Sequence, residues 1–311
     1  MGSDVAQVCR IGALEEREFF AGSSCAFGVF DGMHSGHRFL LEQAKRTARE
    51  SGGRSIALTF DIDPDERLHA QRLKKLLSND DRIDMLAQSG VDVVAILPFT
   101  PEFSAETPEE FLHNTFGTHA PAYLHVGSDF RFGKRAAGTV KELNAWAQGS
   151  GTCVCAHDLV SADGAPITAT RIRLLLADCK VREAAELLTY PYTLHDCVMP
   201  GRKEGRDMGF RTANLVVEPM RRVLGEGVYA AYALVDGKRY RAAVSVGVSP
   251  TFKDETDAYC EVHILDFDDD IYDQDIYVEF IEWLRPMMEF TSVEELIATV
   301  TSNIQWVRDN L

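Results

Sequence analysis

The sequence predicts two domains of different architecture, an open α/β sheet followed by an antiparallel β structure that ends in a helix. Three observations lead there. From residue 25 to about residue 185, short β-rich runs alternate with helical stretches; beyond that, strand-like runs are separated only by turn residues; and the change of texture falls near residue 187.

In the first half, strands are expected at 25–30, 54–60, 91–97, 122–126 and 152–157. Between them Leu40, Leu41, Ala44 and Ala48, then Ile83 and Leu86, Phe111 and Leu112, and Leu143 and Trp146 recur at helical spacing. The helix entries carry caps: Ser78 precedes Asp81 by three residues, Thr107 is followed by Pro108 and Glu110, and Thr139 leads into the Leu143 helix. In the second half, strands are expected at 193–199, 213–217, 228–235, 239–246, 259–265 and 276–284, with turns such as Asp236-Gly237 between them. Ser292, with Glu295 three residues on, opens a last helix whose inner face carries Leu296, Val300, Ile304 and Val307. The domains expected are 1–186 and 187–311, divided inside a helical connection with no flexible linker.

The 311 residues, 45% of them hydrophobic, suffice for two cores of ordinary domain size. With 48 acids against 32 bases, the net charge of -16 opposes nucleic-acid binding, so any anionic ligand must be small and held in a local basic pocket. The seven scattered cysteines include one close pair, Cys153 and Cys155, whose single intervening residue is too few for a zinc-binding arm. Reduced thiols in the cytoplasm fit this set. With neither a long apolar run nor a charged-then-apolar leader, a soluble protein without membrane association is expected, and nothing in the chain specifies a protein partner.

The strongest chemical signal is Gly28-Val29-Phe30-Asp31-Gly32-Met33-His34-Ser35-Gly36-His37, a strand that ends in a glycine-rich turn and feeds a helix. Such a turn sets backbone N–H groups and the positive helix end against a phosphate, and Gly36 allows close approach. His34 and His37 can donate to phosphate oxygens where charge builds as pyrophosphate leaves. Farther on, Ile167-Thr168-Ala169-Thr170-Arg171-Ile172-Arg173 combines hydroxyls, a helix start and guanidinium groups, which suit the outer phosphates of ATP. The segment Gly127-Ser128-Asp129-Phe130-Arg131-Phe132-Gly133-Lys134 is not a P-loop, having one residue too many between its glycines and Arg135 where Ser or Thr should follow. The acidic run from Asp266 to Ile271 is not a calcium loop, because Ile271 stands where glycine is required, and it reads as a solvated turn.

The first string resembles the H-x-G-H signature of the nucleotidyltransferase superfamily in its prokaryotic FAD synthetase version. Residues 167–173 resemble that superfamily's I-S-S-T-x-x-R signature with Ala169 in place of one hydroxyl, and 127–133 resembles the G-x-D-F-x-F-G segment. Phe60-Asp61-Ile62-Asp63-Pro64 is similar to the family's next loop, which usually carries histidine before its proline. In the second half, Gly205-Arg206-Asp207-Met208-Gly209-Phe210-Arg211-Thr212-Ala213-Asn214 resembles the riboflavin kinase segment G-R-x-L-G-F-P-T-A-N. Gly247-Val248-Ser249-Pro250-Thr251-Phe252 and the strand bearing Glu261 resemble the same kinase's flavin-side loop and base.

The resemblance, running in order from Cys25 to Trp306, is to the prokaryotic bifunctional riboflavin kinase/FAD synthetase family. It implies a Rossmann-like nucleotidyltransferase domain, an antiparallel Greek-key β-barrel kinase domain with a C-terminal helix, and riboflavin, FMN, ATP and Mg2+ as ligands. His34, His37, Arg173 and Glu261 would be catalytic, Glu261 as the general base. ATP would meet Gly28, Phe30, Asp31, Gly32, Gly36, Thr170, Gly205, Thr212 and Asn214; the flavin would meet Asp129, Phe130, Arg131, Pro250 and Thr251; magnesium would sit on Thr212 and Asn214. Three positions depart from the kinase pattern: Arg211 replaces proline, while Thr189 and Asp273 stand where glycine is usual. Three alternatives stay open at this point: an FAD synthetase with a lapsed kinase half, a nucleotidyltransferase for another small acceptor, and a flavin- or nucleotide-binding regulator without turnover.

Overall fold

The computed structural model describes residues 5–12, 14–68, 74–200, 210–247 and 260–311. The chain divides into two compact units, Met1–Leu73 with Leu77–Thr168, and Lys74–Leu76 with Ala169–Leu311.

The first unit is built on six parallel strands: β1 Gln7–Arg10, β2 Ser24–Phe27, β3 Ser55–Phe60, β4 Val93–Leu97, β5 Tyr123–Gly127 and β6 Cys153–His157. Their spatial order is β1-β4-β3-β2-β5-β6. From β2 the chain winds one way through β3 and β4 and the other way through β5 and β6, so the order reverses between β2 and β5. A doubly wound sheet binds its ligands at that reversal, outside the carboxyl ends of the strands. The helices are α1 Ser35–Ser51, α2 Pro64–Leu68, α3 Asn79–Ala87, α4 Pro101–Ser104, α5 Pro108–Phe116 and α6 Val140–Ser150, and a small hairpin, β7 Ser161–Ala162 with β8 Ala165–Pro166, follows β6. Because a strand buried on both faces sends alternate side chains each way, Cys25 and Phe27 join one core with Phe60 and Phe111, while Ala26 joins another with Leu41 and Leu86.

The expected caps are present. Ser78 accepts the Asp81 N–H, and Thr107 and Thr139 each form a capping box, with Glu110 and Glu142. Strand β1 escapes the pattern because it is a four-residue edge with no clean alternation.

The second unit holds α7 Ala169–Ala177, α8 Val181–Leu188 and a closed barrel of β9 Thr193–Met199, β10 Ala213–Leu215, β11 Gly227–Val235, β12 Lys238–Val246, β13 Cys260–Ile264 and β14 Asp275–Arg285. Strands β11 to β13 form a meander and β14 returns beside β11, which is the Greek-key order, and every pairing is antiparallel. Helix α9 Val293–Asn310 is capped by Ser292 and turns Val307 and Ile304 onto the barrel beside Ala230 and Ala243.

Candidate active sites

Strand β2 stops at Phe27, short of the predicted Phe30, because the backbone must turn. Phe30 adopts the left-handed conformation (φ 62°), and the one-turn 3-10 helix Asp31–Met33 carries Gly32 at φ 74°. A bulky aromatic residue there is strained, and its burial holds it in place. The ring of Phe30 meets His37 edge-on at 5.4 Å.

His34 then caps α1, its Nδ1 accepting the His37 N–H at 3.4 Å, and the two imidazoles stack at 3.6 Å between centroids. With Nδ1 an acceptor, the proton of the neutral His34 ring sits on Nε2, which becomes a donor. Gly36 leaves room for this stack, since a Cβ there would stand 3.2 Å from the His34 ring, tighter than ordinary contact. The same Cβ would lie 3.8 Å from the Ile167 carbonyl, so the start of the second phosphate signature adjoins the histidine turn. Thr170 and Arg173 themselves lie on α7 and belong to the second unit.

The 127–133 loop arises on the other side of the reversal. Ser128 N–H donates to the His157 carbonyl, Phe130 N–H to the Gly127 carbonyl, and the Phe130 ring packs 5.2 Å from that of Phe27 at the end of β2. The histidine turn, with Gly28, Asp31 and Gly32, and the loop bearing Asp129, Phe130 and Arg131 therefore leave adjacent strand ends. Asp129 and Arg131 are exposed there. A depression of about 850 Å³ around Gly22, Gly53 and Arg54 lies at the opposite end of the strands and holds none of these residues.

Sequence reasoning missed the support beneath the turn. Arg82, on α3, is fully buried and donates to the Val29 carbonyl at 3.0 Å, the Thr59 hydroxyl at 2.6 Å and the Phe60 carbonyl at 2.8 Å, tying the ends of β2 and β3 together. Asp31 accepts the Leu77 N–H at 3.1 Å. Burial pushes the Asp63 carboxyl up to about 6, with Asp31 and Asp65 adding repulsion and Arg82 opposing it. Nothing in the helical spacing around Ile83 marks the preceding arginine as buried.

In the barrel, Asn214 pairs in register with Glu261 across β10 and β13, and Ser245 pairs with Glu261 across β12 and β13. Directly opposed residues share a face. Cys260, Val262 and Ile264 alternate inward, so Glu261 points outward, on the face that Asn214 and Ser245 share. Asn214 Nδ2 donates to the Thr212 carbonyl at 3.4 Å, and both residues line a cavity of about 260 Å³. The acidic run borders the same cavity through residues 268–270, a role its reading as a solvated turn does not anticipate. Gly205, Pro250 and Thr251 lie outside the described residues.

The departures from the kinase pattern have local explanations. Thr189, at φ 71°, closes α8 in the left-handed conformation, and Asp273 adopts φ 59°. Both keep the backbone that glycine would supply, at the expense of strain for Thr189. Arg211 points to Asp268, its Nη1 lying 2.9 Å from the Asp268 carboxylate.

Two family profiles match the chain, one described as FAD synthetase over residues 16–171 and one as riboflavin kinase over 188–311. The chain is 34% identical to a bifunctional riboflavin kinase/FMN adenylyltransferase of Listeria monocytogenes, over 91% of this chain and 90% of that protein. It is 30% identical to the Bacillus subtilis protein of the same description, over 93% and 92%. A crystal structure described as a macrolide-efflux protein from Streptococcus pneumoniae matches with a TM-score of 0.85 at 29% identity, covering 98% of this chain and 99% of that one. The efflux description belongs to that protein; among the described residues here, no helix is long and apolar enough to cross a membrane.

Proposed function

The chain belongs to the family of bifunctional riboflavin kinases/FMN adenylyltransferases, an enzyme that makes FMN from riboflavin and FAD from FMN, and from this premise we propose how its residues divide the two reactions.

Adenylyl transfer from ATP to FMN belongs to the histidine turn. An oxygen of the FMN phosphate attacks the α-phosphorus of ATP, and pyrophosphate leaves. His34 and His37 stabilise the charge that builds on the phosphate oxygens, helped by the N-terminal amides of α1. Gly28, Phe30, Asp31, Gly32 and Gly36 shape the turn around ATP, while Asp129, Phe130 and Arg131 meet the flavin. The observation that carries this assignment is the cap at the head of α1, where His34 accepts through Nδ1 and so presents Nε2–H as a donor.

Phosphoryl transfer to riboflavin belongs to the paired strands β10 and β13 and the cavity beside them, although Glu261 is not among the residues that line that cavity. Glu261 takes the proton of the ribityl 5′-hydroxyl as it attacks the γ-phosphorus, and ADP leaves. The hydroxyl of Thr212 and the amide oxygen of Asn214 are hard oxygen donors on one wall of the cavity, which suits Mg2+ shared with ATP phosphates. When bound, the ion neutralises phosphate charge. Gly205, Pro250 and Thr251 complete the ATP and flavin contacts in this reading. ATP, the co-substrate of both reactions, is a cytoplasmic metabolite, and the enzyme works there in this reading.

The test is direct. Pure protein incubated with Mg-ATP and riboflavin should accumulate FMN and then FAD, and FMN supplied alone with Mg-ATP should give FAD and pyrophosphate. FAD formation that withstands replacement of both histidines would overturn the first assignment, and FMN formation that withstands loss of Glu261 would overturn the second.

A further inference from the structure

The cavity in the barrel unit has two walls. One is β10 with the residue before it, through Asn214 and Thr212; the other is the turn after β13, with Phe267, Asp268 and Tyr272. The turn is anchored from behind, because the Asp266 carboxylate receives two hydrogen bonds from Arg308 near the end of α9, at 2.7 and 2.9 Å. Arg241 in turn donates to the Arg308 carbonyl at 3.1 Å. The β10 segment is attached to β13 by His263, whose Nδ1 lies 2.8 Å from the Arg211 carbonyl and must be the donor, since a carbonyl only accepts. Across the cavity mouth, Arg211 Nη1 meets Asp268 twice, at 2.9 Å from the carboxylate and 3.2 Å from the backbone carbonyl.

Arg211 stands immediately before Thr212, where the resembled kinase segment has proline. Proline would restrain the backbone through its ring, whereas arginine leaves φ free and needs an external restraint. We propose that Arg211 is a positioning residue for riboflavin phosphorylation: paired with Asp268, it holds Thr212 and Asn214 at a set distance from the opposite wall of the cavity, doing by ion pairing what a proline does by ring closure. This rests on the assignment of Thr212 and Asn214 to the ATP–magnesium site. The guanidinium is thereby occupied with Asp268 and contributes through Thr212 and Asn214 instead of holding phosphate itself.

The pair is solvent-exposed, with its two side chains 56% and 89% accessible, so its effect is modest and sensitive to salt. In the full-length enzyme, Asp268→Asn should raise the KM for Mg-ATP in riboflavin phosphorylation about 3- to 5-fold at low salt, with kcat changed less and FMN adenylylation unaltered. The difference from wild type should shrink as salt rises from about 0.05 M to about 0.5 M. Arg211→Ala should raise KM equally, and Arg211→Ala with Asp268→Asn should be no worse than either alone. Arg211→Pro combined with Asp268→Asn should bring KM back towards wild type, an outcome that a merely structural ion pair would not produce. An unchanged KM in Asp268→Asn at low salt, or single effects that multiply in the double variant, would overturn the proposal. Asn214→Ala separates the two levels. If it spares riboflavin phosphorylation in folded protein, the site assignment falls and takes this proposal with it; if it abolishes the reaction while the Arg211 and Asp268 variants are silent, only the positioning role falls.

Discussion

Around the histidine turn the charged groups are buried, with Arg82 1% exposed and Asp31 and Asp63 each 4%, whereas around the barrel cavity Arg211, Asp266 and Asp268 all stand in solvent. Buried groups feel one another and their own desolvation strongly, so the first site should respond to pH. Exposed pairs are screened, so the second should respond to ionic strength. The backbone follows the same division: the first turn is held by left-handed Phe30, a glycine clearance and a buried guanidinium, the second by strand register and ion pairs at the surface.

The largest effect that tests this comparison is chemical. Glu261→Gln keeps the shape and removes the basicity, so FMN formation should fall by about 10²- to 10⁴-fold while FAD formation from supplied FMN continues. Equal FMN rates in the two proteins would remove Glu261 from the site. Next, His37→Ala should lower kcat for FAD formation by about 10²-fold or more, by analogy with deletion of one oxyanion donor, and leave riboflavin phosphorylation intact. A parallel loss of both activities with folding preserved would mean that the two reactions do not use separate residues.

Electrostatics comes third. The Asp63 carboxyl, ordinarily near 3.8, is held near 6 in the folded protein, so its contribution to folding is complete below about pH 4 and lost as pH rises through 6. Asp63→Asn keeps an oxygen for the Asp65 N–H that Asp63 now accepts at 2.9 Å. Thermal or urea unfolding should find the variant more stable than wild type at pH 8, by at most about 3 kcal/mol, and equal to it near pH 4. A gain of the same size at both pH values would show that burial of this carboxylate is not the cause.

A smaller effect is expected at Gly36. A methyl group there would press on the His34 ring at 3.2 Å while filling a helical position that alanine favours. Gly36→Ala should therefore hold or raise the melting temperature and yet lower FAD formation about 5- to 10-fold through a few tenths of an ångström of misplacement. Loss of stability and activity together would argue for a packing role instead. The smallest effect concerns the barrel unit: Thr189→Gly should add about 1 kcal/mol of stability by relieving a β-branched residue at φ 71°, without changing either activity.

Much of this architecture was legible in the order of residues along the chain, for reasons that are local. The cap at Ser78, the capping boxes at Thr107 and Thr139 and the helix opened by Ser292 need only three or four neighbouring residues, and all four formed as expected. Strand β9 matches its expected span because alternation is a property of the segment itself. The histidine turn was also readable, since its ten residues contain the strand end, the glycines and the helix cap together. What the chain order could not reveal depends on partners distant along it. The edge strand β1 exists because β4 offers it a parallel neighbour. Glu261 and Asn214 share a face because β10 and β13 pair in one register of several that their sequences would permit. Arg82 is buried because three acceptors from the ends of β2 and β3 converge on it, and the acidic turn is a cavity wall because Arg308 and Arg211 hold it from two sides. Periodicity and capping are written in neighbouring residues; register, the burial of charge and the far side of a cavity are settled only when the chain has closed on itself.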